Sequence, residues 1–415
     1  MASTILIIFT VPIPVVIFFL LLLFLLHHSL KNRRRVLQFA TAAECLRIID
    51  GFQLPDNTKN QLSPHEARAL QNKDLKEAFG IHNAFTTDNA ADAKQFTHQA
   101  AKLIKLSAEQ WGFLRDILYR TVSSMPGVET SGLRIHLTPL TQALALRSSL
   151  YVLFKMRGDI EIQHLIDLGE VIHRTWMDIQ RGKEITGFKN NHILQARLSA
   201  VFPSHRNILN PRRNPFNHIL PSFETLWPVV LRLFLELHLH ERKHWKEILI
   251  AFAQKPAPAQ FTLLLGEDAI SAEFLVKEGL RLYPPTRQIC RTFQFPGSDK
   301  RETFTADVEG GHLDRKVWGR DALEFKPGRW RMVKLPQTLS FLAFGARPFL
   351  CPASQDFGPR VVGLIVGILL DVLGDEWVVE LEGSGKMEKL GSGGVLRNDQ
   401  DAYDGVFLVE RSGWV

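Results

Sequence analysis

Residues 5–26 contain no charged side chain, and this run constrains the chain more than any other feature. Wound as a helix at ~1.5 Å per residue it would measure roughly 33 Å, enough to cross the hydrocarbon of a bilayer. Pro12 and Pro14 lie inside it, which membrane helices tolerate better than soluble ones do. A cleaved secretory signal is the competing reading. The run is long for such a signal, no basic residues precede it and no small-residue cleavage site follows, so an uncleaved anchor is expected. Lys31, Arg33, Arg34 and Arg35 come just after it, and basic residues beside a span stay on the cytosolic side. Residues 1–30 are therefore read as a single-pass anchor in a lipid bilayer, and residues 31–415 as one folded unit in the cytosol. In a eukaryotic cell this is the pattern of an endoplasmic-reticulum membrane protein. The apolar stretch 361–370 is too short for a second span and reads as a core helix.

The formal net charge is +7, and four of those charges are the cluster after the anchor. The rest of the chain is only mildly basic and has no Lys/Arg stripe with interleaved aromatics, so nucleic acid is not an expected partner. Cys45, Cys290 and Cys351 are the only cysteines. They stand far apart, without metal-ligand spacing or a disulfide framework, which suits a reducing compartment.

From residue 40 to about 289 the texture is mostly helical. Ser107-Ala-Glu-Gln110 is a capping box opening a helix with Trp111, Leu114, Ile117 and Leu118 on its apolar face. Further helices are expected over residues 140–154 and 160–181. An Asn/Pro/Arg-rich loop over 207–217 precedes a long apolar helix over 218–240. The run 254–258 breaks the chain, and Ser271 caps a helix that stops at Pro284-Pro285. Short strands are then expected over 291–295, 302–306 and 405–410, with a turn at 391–394. The fold class is mainly α with a smaller β portion.

Four features carry chemistry, and each has a plainer reading beside it. Glu278 and Arg281 sit at i and i+3, so they can pair on a helix face; such pairs are usually solvated. Trp318-Gly-Arg-Asp-Ala-Leu-Glu-Phe-Lys-Pro-Gly-Arg-Trp330 lacks helical or strand period and reads as an ordered loop. If it is buried, Arg329 needs an anion; otherwise it is a surface loop. Phe344-Gly-Ala-Arg-Pro-Phe-Leu-Cys-Pro-Ala353 is a turn leading into an apolar helix. Cys351 near that helix start would sit where amide N–H groups favour a thiolate, or it is a buried structural cysteine. Glu224-Thr225 lies within an apolar helix, where a carboxylate is costly without a use, unless that face is turned to solvent.

In this order the features resemble the cytochrome P450 superfamily, its fungal members most closely. The resemblance covers roughly residues 1–27 and 100–415. It implies a P450-like fold and a haem-thiolate catalytic domain over 31–415. Glu278-x-x-Arg281 followed by Leu282-Tyr-Pro-Pro-Thr-Arg287 is similar to the K-helix motif, and Arg329 would complete a buried triad with Glu278 and Arg281. Phe344 to Ala353 is similar to the haem loop, which makes Cys351 the axial thiolate ligand of the iron. Trp111-x-x-x-Arg115 is similar to the C-helix motif that contacts a haem propionate. Glu224 and Thr225 resemble the acid–alcohol pair that relays protons to the oxygen site, and Pro221 would kink that helix.

The chain also departs from the family pattern. Phe349 stands where a propionate-binding cation is usual, so Arg347 is expected to take over that contact. Ala353 stands in place of a Gly, Pro221-Ser222 in place of a small pair, and Leu226 in place of a second hydroxyl. The stretch between Arg115 and Thr225 is short, with the shortfall near 160–205, the lid (F–G) region that roofs the substrate pocket. The implied activity is monooxygenation of an apolar small molecule, such as a fungal secondary metabolite. It would use O2 and electrons from NADPH-cytochrome P450 reductase, since the chain has no flavin or nicotinamide motif. The rival expectations are a truncated, inactive haem-binding membrane protein and a haem-thiolate isomerase or dehydratase that needs no reductase.

Overall fold

The computed structural model describes residues 37–127, 134–205, 207–239, 243–382, 395–397 and 403–410. The apolar run 5–26, the basic cluster and the turn at 391–394 lie outside the described residues. Among the described residues, no helix is long and apolar enough to cross a membrane.

The chain begins with strand β1 (Leu37–Phe39) and then runs through helices. Helix α1 (Ala42–Asp50) opens with a capping box in which Thr41 and Glu44 satisfy each other's backbone N–H groups. Helices α2 (Pro64–Gln71) and α3 (Lys73–Phe79) are short, and α2 has Pro at its first position, where no N–H is needed. Helix α4 (Ala90–Leu103) precedes α5 (Ala108–Ser123), which has the capping box of Ser107 and Gln110. Strand β2 (Arg134–His136) leads into α6 (Leu137–Phe154), which is buried almost all round. Helices α7 (Ile162–Gln180) and α8 (His192–Val201) occupy the region where the shortened lid is expected.

Helix α9 (Phe216–Leu239) is the central element. Pro221 and Pro228 lie inside it, and each removes an amide donor to the carbonyl four residues earlier. The carbonyl freed by Pro221 belongs to Asn217, and the Asn83 side chain donates to it at 3.1 Å. After α9 come α10 (Lys243–Gln254), α11 (Pro258–Thr262) and α12 (Ala272–Leu282), the last capped by Ser271. Strands β3 (Gln288–Gln294) and β4 (Arg301–Asp307) follow, then the small helices α13 (Val308–Leu313), α14 (Arg315–Trp318) and α15 (Leu335–Ser340). Helix α16 (Phe357–Leu373) and strands β5 (Trp377–Leu381) and β6 (Val406–Glu410) end the described chain.

The strands form two three-stranded sheets, ordered β1-β4-β3 and β2-β6-β5. In the first, β4 pairs in parallel with β1 and antiparallel with β3, Cys290 facing Thr305 in register. In the second, β6 lies antiparallel to β2 and β5. Most of the apolar core is one cluster running from α5 and α6 through α9 and α10 to α16. Helix α16 lies so close to α10 that a Cβ on Gly367 would sit 2.3 Å from the Leu249 carbonyl oxygen. A second, smaller core lies under the first sheet, and Leu342 and Ala346 belong to it. The turn around Cys351 is thereby seated on the small sheet at one end and on α16 at the other.

Candidate active site

Glu278 is the most heavily bonded side chain of the site, and it is fully buried on α12. Five donors reach its two oxygens. Arg281 donates from Nε at 3.0 Å and Nη2 at 2.8 Å, and Arg329 from Nε at 2.9 Å. The Lys326 backbone N–H and the Trp330 indole N–H donate at 3.0 Å each. The remaining guanidinium donors are also satisfied. Arg281 Nη1 donates to the carbonyls of His312 and Ala322, and Arg329 donates to those of Trp318 and Asp321. A buried charge is tolerated only when paired and fully hydrogen-bonded, and this carboxylate between two guanidinium forks meets both conditions. The Lys326 ammonium, with Arg329 behind it, holds the Asp321 carboxyl below its ordinary range.

His312 joins this centre to the cysteine loop. Its Nε2 accepts from the Leu342 N–H at 2.8 Å, so its proton is on Nδ1, which donates to the Arg281 carbonyl at 3.0 Å. The ring is fully buried, and burial pushes it down to about 3. It is therefore neutral at physiological pH, and its tautomer is fixed by the two backbone groups it bridges.

The loop is held by its own backbone. Gly345 is left-handed at φ +70°, a conformation that favours glycine, and donates to the Leu342 carbonyl at 2.8 Å. The Cys351 N–H donates to the Phe344 carbonyl at 3.0 Å. The Phe344 ring lies against Gly358, where an added Cβ would meet it at 2.8 Å. Helix α16 starts only at Phe357, later than the sequence led us to expect. The amide that favours the thiolate is instead that of Ala353, in the intervening turns. Burial pushes the Cys351 thiol up, while the Ala353 N–H and the Arg68 charge pull it down.

The cations near the thiol differ from the expected set. Arg347 is exposed. Phe349 instead packs between two guanidiniums, Arg68 at 4.7 Å and Arg291 at 4.9 Å from its ring centroid, with His65 edge-on at 5.2 Å. Among the described residues no carboxylate forms an ion pair with Arg68. Burial and repulsion from Arg291 lower it to about 9, against the attraction of Cys351. Arg291 is lowered to about 10, chiefly by burial. Neither was legible in the sequence: Arg68 reads as a solvated helix residue and Arg291 as one position in a strand.

Trp111 and Arg115 have different partners. Arg115 donates to Asp116 at 2.8 Å and to the Gln254 carbonyl at 2.8 Å. Trp111 is buried beneath the guanidinium of Arg360, 4.1 Å from its centroid, and its indole N–H has no hydrogen-bond partner. The Thr225 hydroxyl donates to the Pro221 carbonyl at 2.7 Å. Glu224 turns toward α7, its carboxylate 3.6 Å from His173 Nδ1. His173 was also missed, because a single His on a helix carries no spacing signal.

Two solved structures, both from Thermus thermophilus, share this arrangement of helices and sheets. One is CYP175A1, with a TM-score of 0.54 over 90% of this chain and 88% of that one, at 16% identity. The other is a six-coordinated cytochrome P450, with a TM-score of 0.52 over 84% of this chain and 89% of that one, at 16% identity. The architecture is thus the cytochrome P450 fold. No protein-family profile matches the chain. Sequence relatives match it over shorter stretches. Cytochrome P450 cyp-13B1 of Caenorhabditis elegans is 36% identical over 84 residues, 19% of this chain and 16% of that protein. Cytochrome P450 52-M1 of Starmerella bombicola is 46% identical over 44 residues, 11% of this chain and 8% of that protein. Cytochrome P450 705A1 of Arabidopsis thaliana is 34% identical over 109 residues, 23% of this chain and 21% of that protein. The matching stretches span under a quarter of each relative's length. Over these stretches the chain is similar to cytochromes P450.

Proposed function

We propose that the protein is a haem-thiolate monooxygenase that inserts oxygen from O2 into an apolar small molecule, of the kind made in fungal secondary metabolism. Electrons would come from NADPH through cytochrome P450 reductase. The anchor over residues 1–30 would place the 31–415 domain at the cytosolic face of the endoplasmic-reticulum membrane, where apolar substrates concentrate.

The residues fit a haem. Cys351 offers one thiol, raised by burial and partly drawn back down by an amide and a guanidinium. The Trp111 indole N–H is a buried donor with no acceptor, and an unmade bond of this kind costs about 1–3 kcal/mol. Arg68 and Arg291 are two cations around one ring, suited to the two propionates. Cys351 would hold the iron, Trp111, Arg68 and Arg291 would supply donors for the propionates, and Phe344 would fix the loop. Bound haem supplies the iron chemistry that splits O2, and a thiolate ligand donates the electron density that favours O–O cleavage.

The chain's own residues then have separable tasks. Glu278, Arg281 and Arg329 hold the segment beneath the loop, and His312 transmits that rigidity to Leu342. Glu224 stores a proton in the α9 interior, and the Thr225 hydroxyl beside it positions the proton's exit.

The observation that carries this reading is the seat of Cys351: a thiol loop tied to Phe344, to α16 and, through His312, to the buried charge centre. The test is the reduced carbon-monoxide spectrum of the purified protein. A thiolate-type Soret shift that disappears in Cys351→His supports the reading. A spectrum unchanged by that substitution refutes ligation. Turnover that requires NADPH and reductase supports monooxygenation, and turnover without them would indicate an isomerase or dehydratase.

A further inference from the structure

Buried polar atoms without partners gather at one place on α9. Both carboxylate oxygens of Glu224, Nδ1 of His173 and Nε1 of Trp227 are buried and make no hydrogen bond. Glu224 and Trp227 share a face of α9 at i and i+3, and His173 reaches them from α7. The His173 ring meets the Trp227 ring edge-on, with centroids 5.0 Å apart. Its Nδ1 stands 3.6 Å from Glu224 Oε2, slightly too far for a direct hydrogen bond and within reach of a small ring rotation.

A carboxylate left bare in the interior is unstable, and the usual remedy is a proton. The ionisable side chain that meets it among the described residues is His173, at 3.6 Å. The other charges of α7 beside it, Glu170 and Arg174, pair with each other at the surface, and Gln142 of α6, which packs near Gly169, is neutral. The two side chains also differ in depth. His173 is 12% exposed and Glu224 is 1% exposed. One proton can rest on the imidazole, giving an imidazolium–carboxylate pair, or on the carboxyl, leaving a neutral imidazole. The transfer breaks one N–H bond and forms one O–H bond, and water restores the proton to the imidazole from outside.

We propose that His173 is the proton port of Glu224, loading the buried carboxyl from the α7 side of the protein. The purpose of that proton, delivery past Thr225 to the oxygen site, rests on the monooxygenase reading. The port itself does not.

The experiment is infrared spectroscopy of the full-length holoprotein across a pH series that includes acid conditions. The carboxylic C=O band of Glu224 is identified as the band lost in Glu224→Gln. Its isotope shift after transfer to D2O then times proton exchange at that one group. His173→Phe should slow the exchange about a hundredfold, the size of effect a positioned acid–base group commonly supplies. His173→Gln, which keeps a polar side chain for folding but cannot carry the proton, should slow it similarly. Unchanged exchange in both variants would overturn the proposal, and so would the absence of any Glu224 band across the series. In turnover with reductase and NADPH, both variants should release more peroxide per NADPH while keeping the wild-type carbon-monoxide spectrum. If the wild type does not turn over, the monooxygenase reading fails while the infrared result still decides the port.

Discussion

His312 makes the stability of this protein sensitive to mild acid in a way that can be worked out in advance. In the folded chain its ring is neutral, held at about 3 by burial; in the unfolded chain it titrates near ~6.5. As pH falls below the unfolded value, the unfolded state takes up a proton that the native ring refuses. The stabilisation is complete above about pH 6.5 and is lost progressively toward pH 3. Between pH 7.5 and pH 5.0 the loss from this one group is about 2 kcal/mol, from 1.5 units at ~1.36 kcal/mol each. The perturbation is His312→Gln. It costs stability at every pH, because the Arg281 carbonyl and the Leu342 N–H lose a well-placed partner, so the absolute value is not diagnostic. The diagnostic quantity is the change in unfolding free energy between the two pH values, measured by denaturant titration followed by tryptophan fluorescence. All other titrating groups are common to both proteins and cancel in the difference. Wild type should lose about 2 kcal/mol more than the variant. Parallel pH dependences would show that the ring is protonated in the native state, and the tautomer assigned above would then be wrong.

Glu278→Ala leaves two buried guanidiniums without their anion and should cost about 3–5 kcal/mol, read as a lower denaturation midpoint; a loss under about 1 kcal/mol would mean the centre is solvated. Gly367→Ala places a methyl against the Leu249 carbonyl and the Ala253 side chain, and it should lower the thermal midpoint by an overpacking cost of about 1–3 kcal/mol. Arg68→Leu removes a charge that pulls the Cys351 thiol down. In haem-free protein, the pH at which Cys351 reaches half its maximal alkylation rate should move upward, and no movement would show that Arg68 does not act on the thiol.

The sequence was most informative where a local rule decides the structure. Ser107 and Gln110 announced the start of α5, Ser271 that of α12, and the apolar run 361–370 lies inside α16. Strands β1, β2 and β5 were not legible, because short strands are specified by partners far along the chain: β1 by β4, β2 by β6. Glu278, Arg281 and Arg329 were visible as residues, but the Lys326 amide that completes the centre was not, since a backbone donor leaves no mark in sequence, and nothing in the 318–330 run shows that the Trp330 indole N–H faces Glu278. The same holds for Arg68. Nothing within α2 shows that this arginine will meet Phe349, and only tertiary packing brings them together. For Arg115, the family resemblance implied a target shared with Trp111; its side chain bonds Asp116 and the Gln254 carbonyl, partners that nothing in the sequence marks.

The pairing of Phe349 with Arg68 bears on the order in which the molecule is assembled. A cation built into the loop beside the cysteine would be present as soon as that loop formed. A flat ring in that place carries no charge, so the loop must wait for a guanidinium supplied by the N-terminal third of the chain. The thiol's affinity for a proton then becomes a record of whether the early and late parts of the polypeptide have met. In a chain made from the N-terminus onward, that meeting is a late long-range contact, so the sulfur has only its local Ala353 N–H until the early part of the chain has packed against the loop.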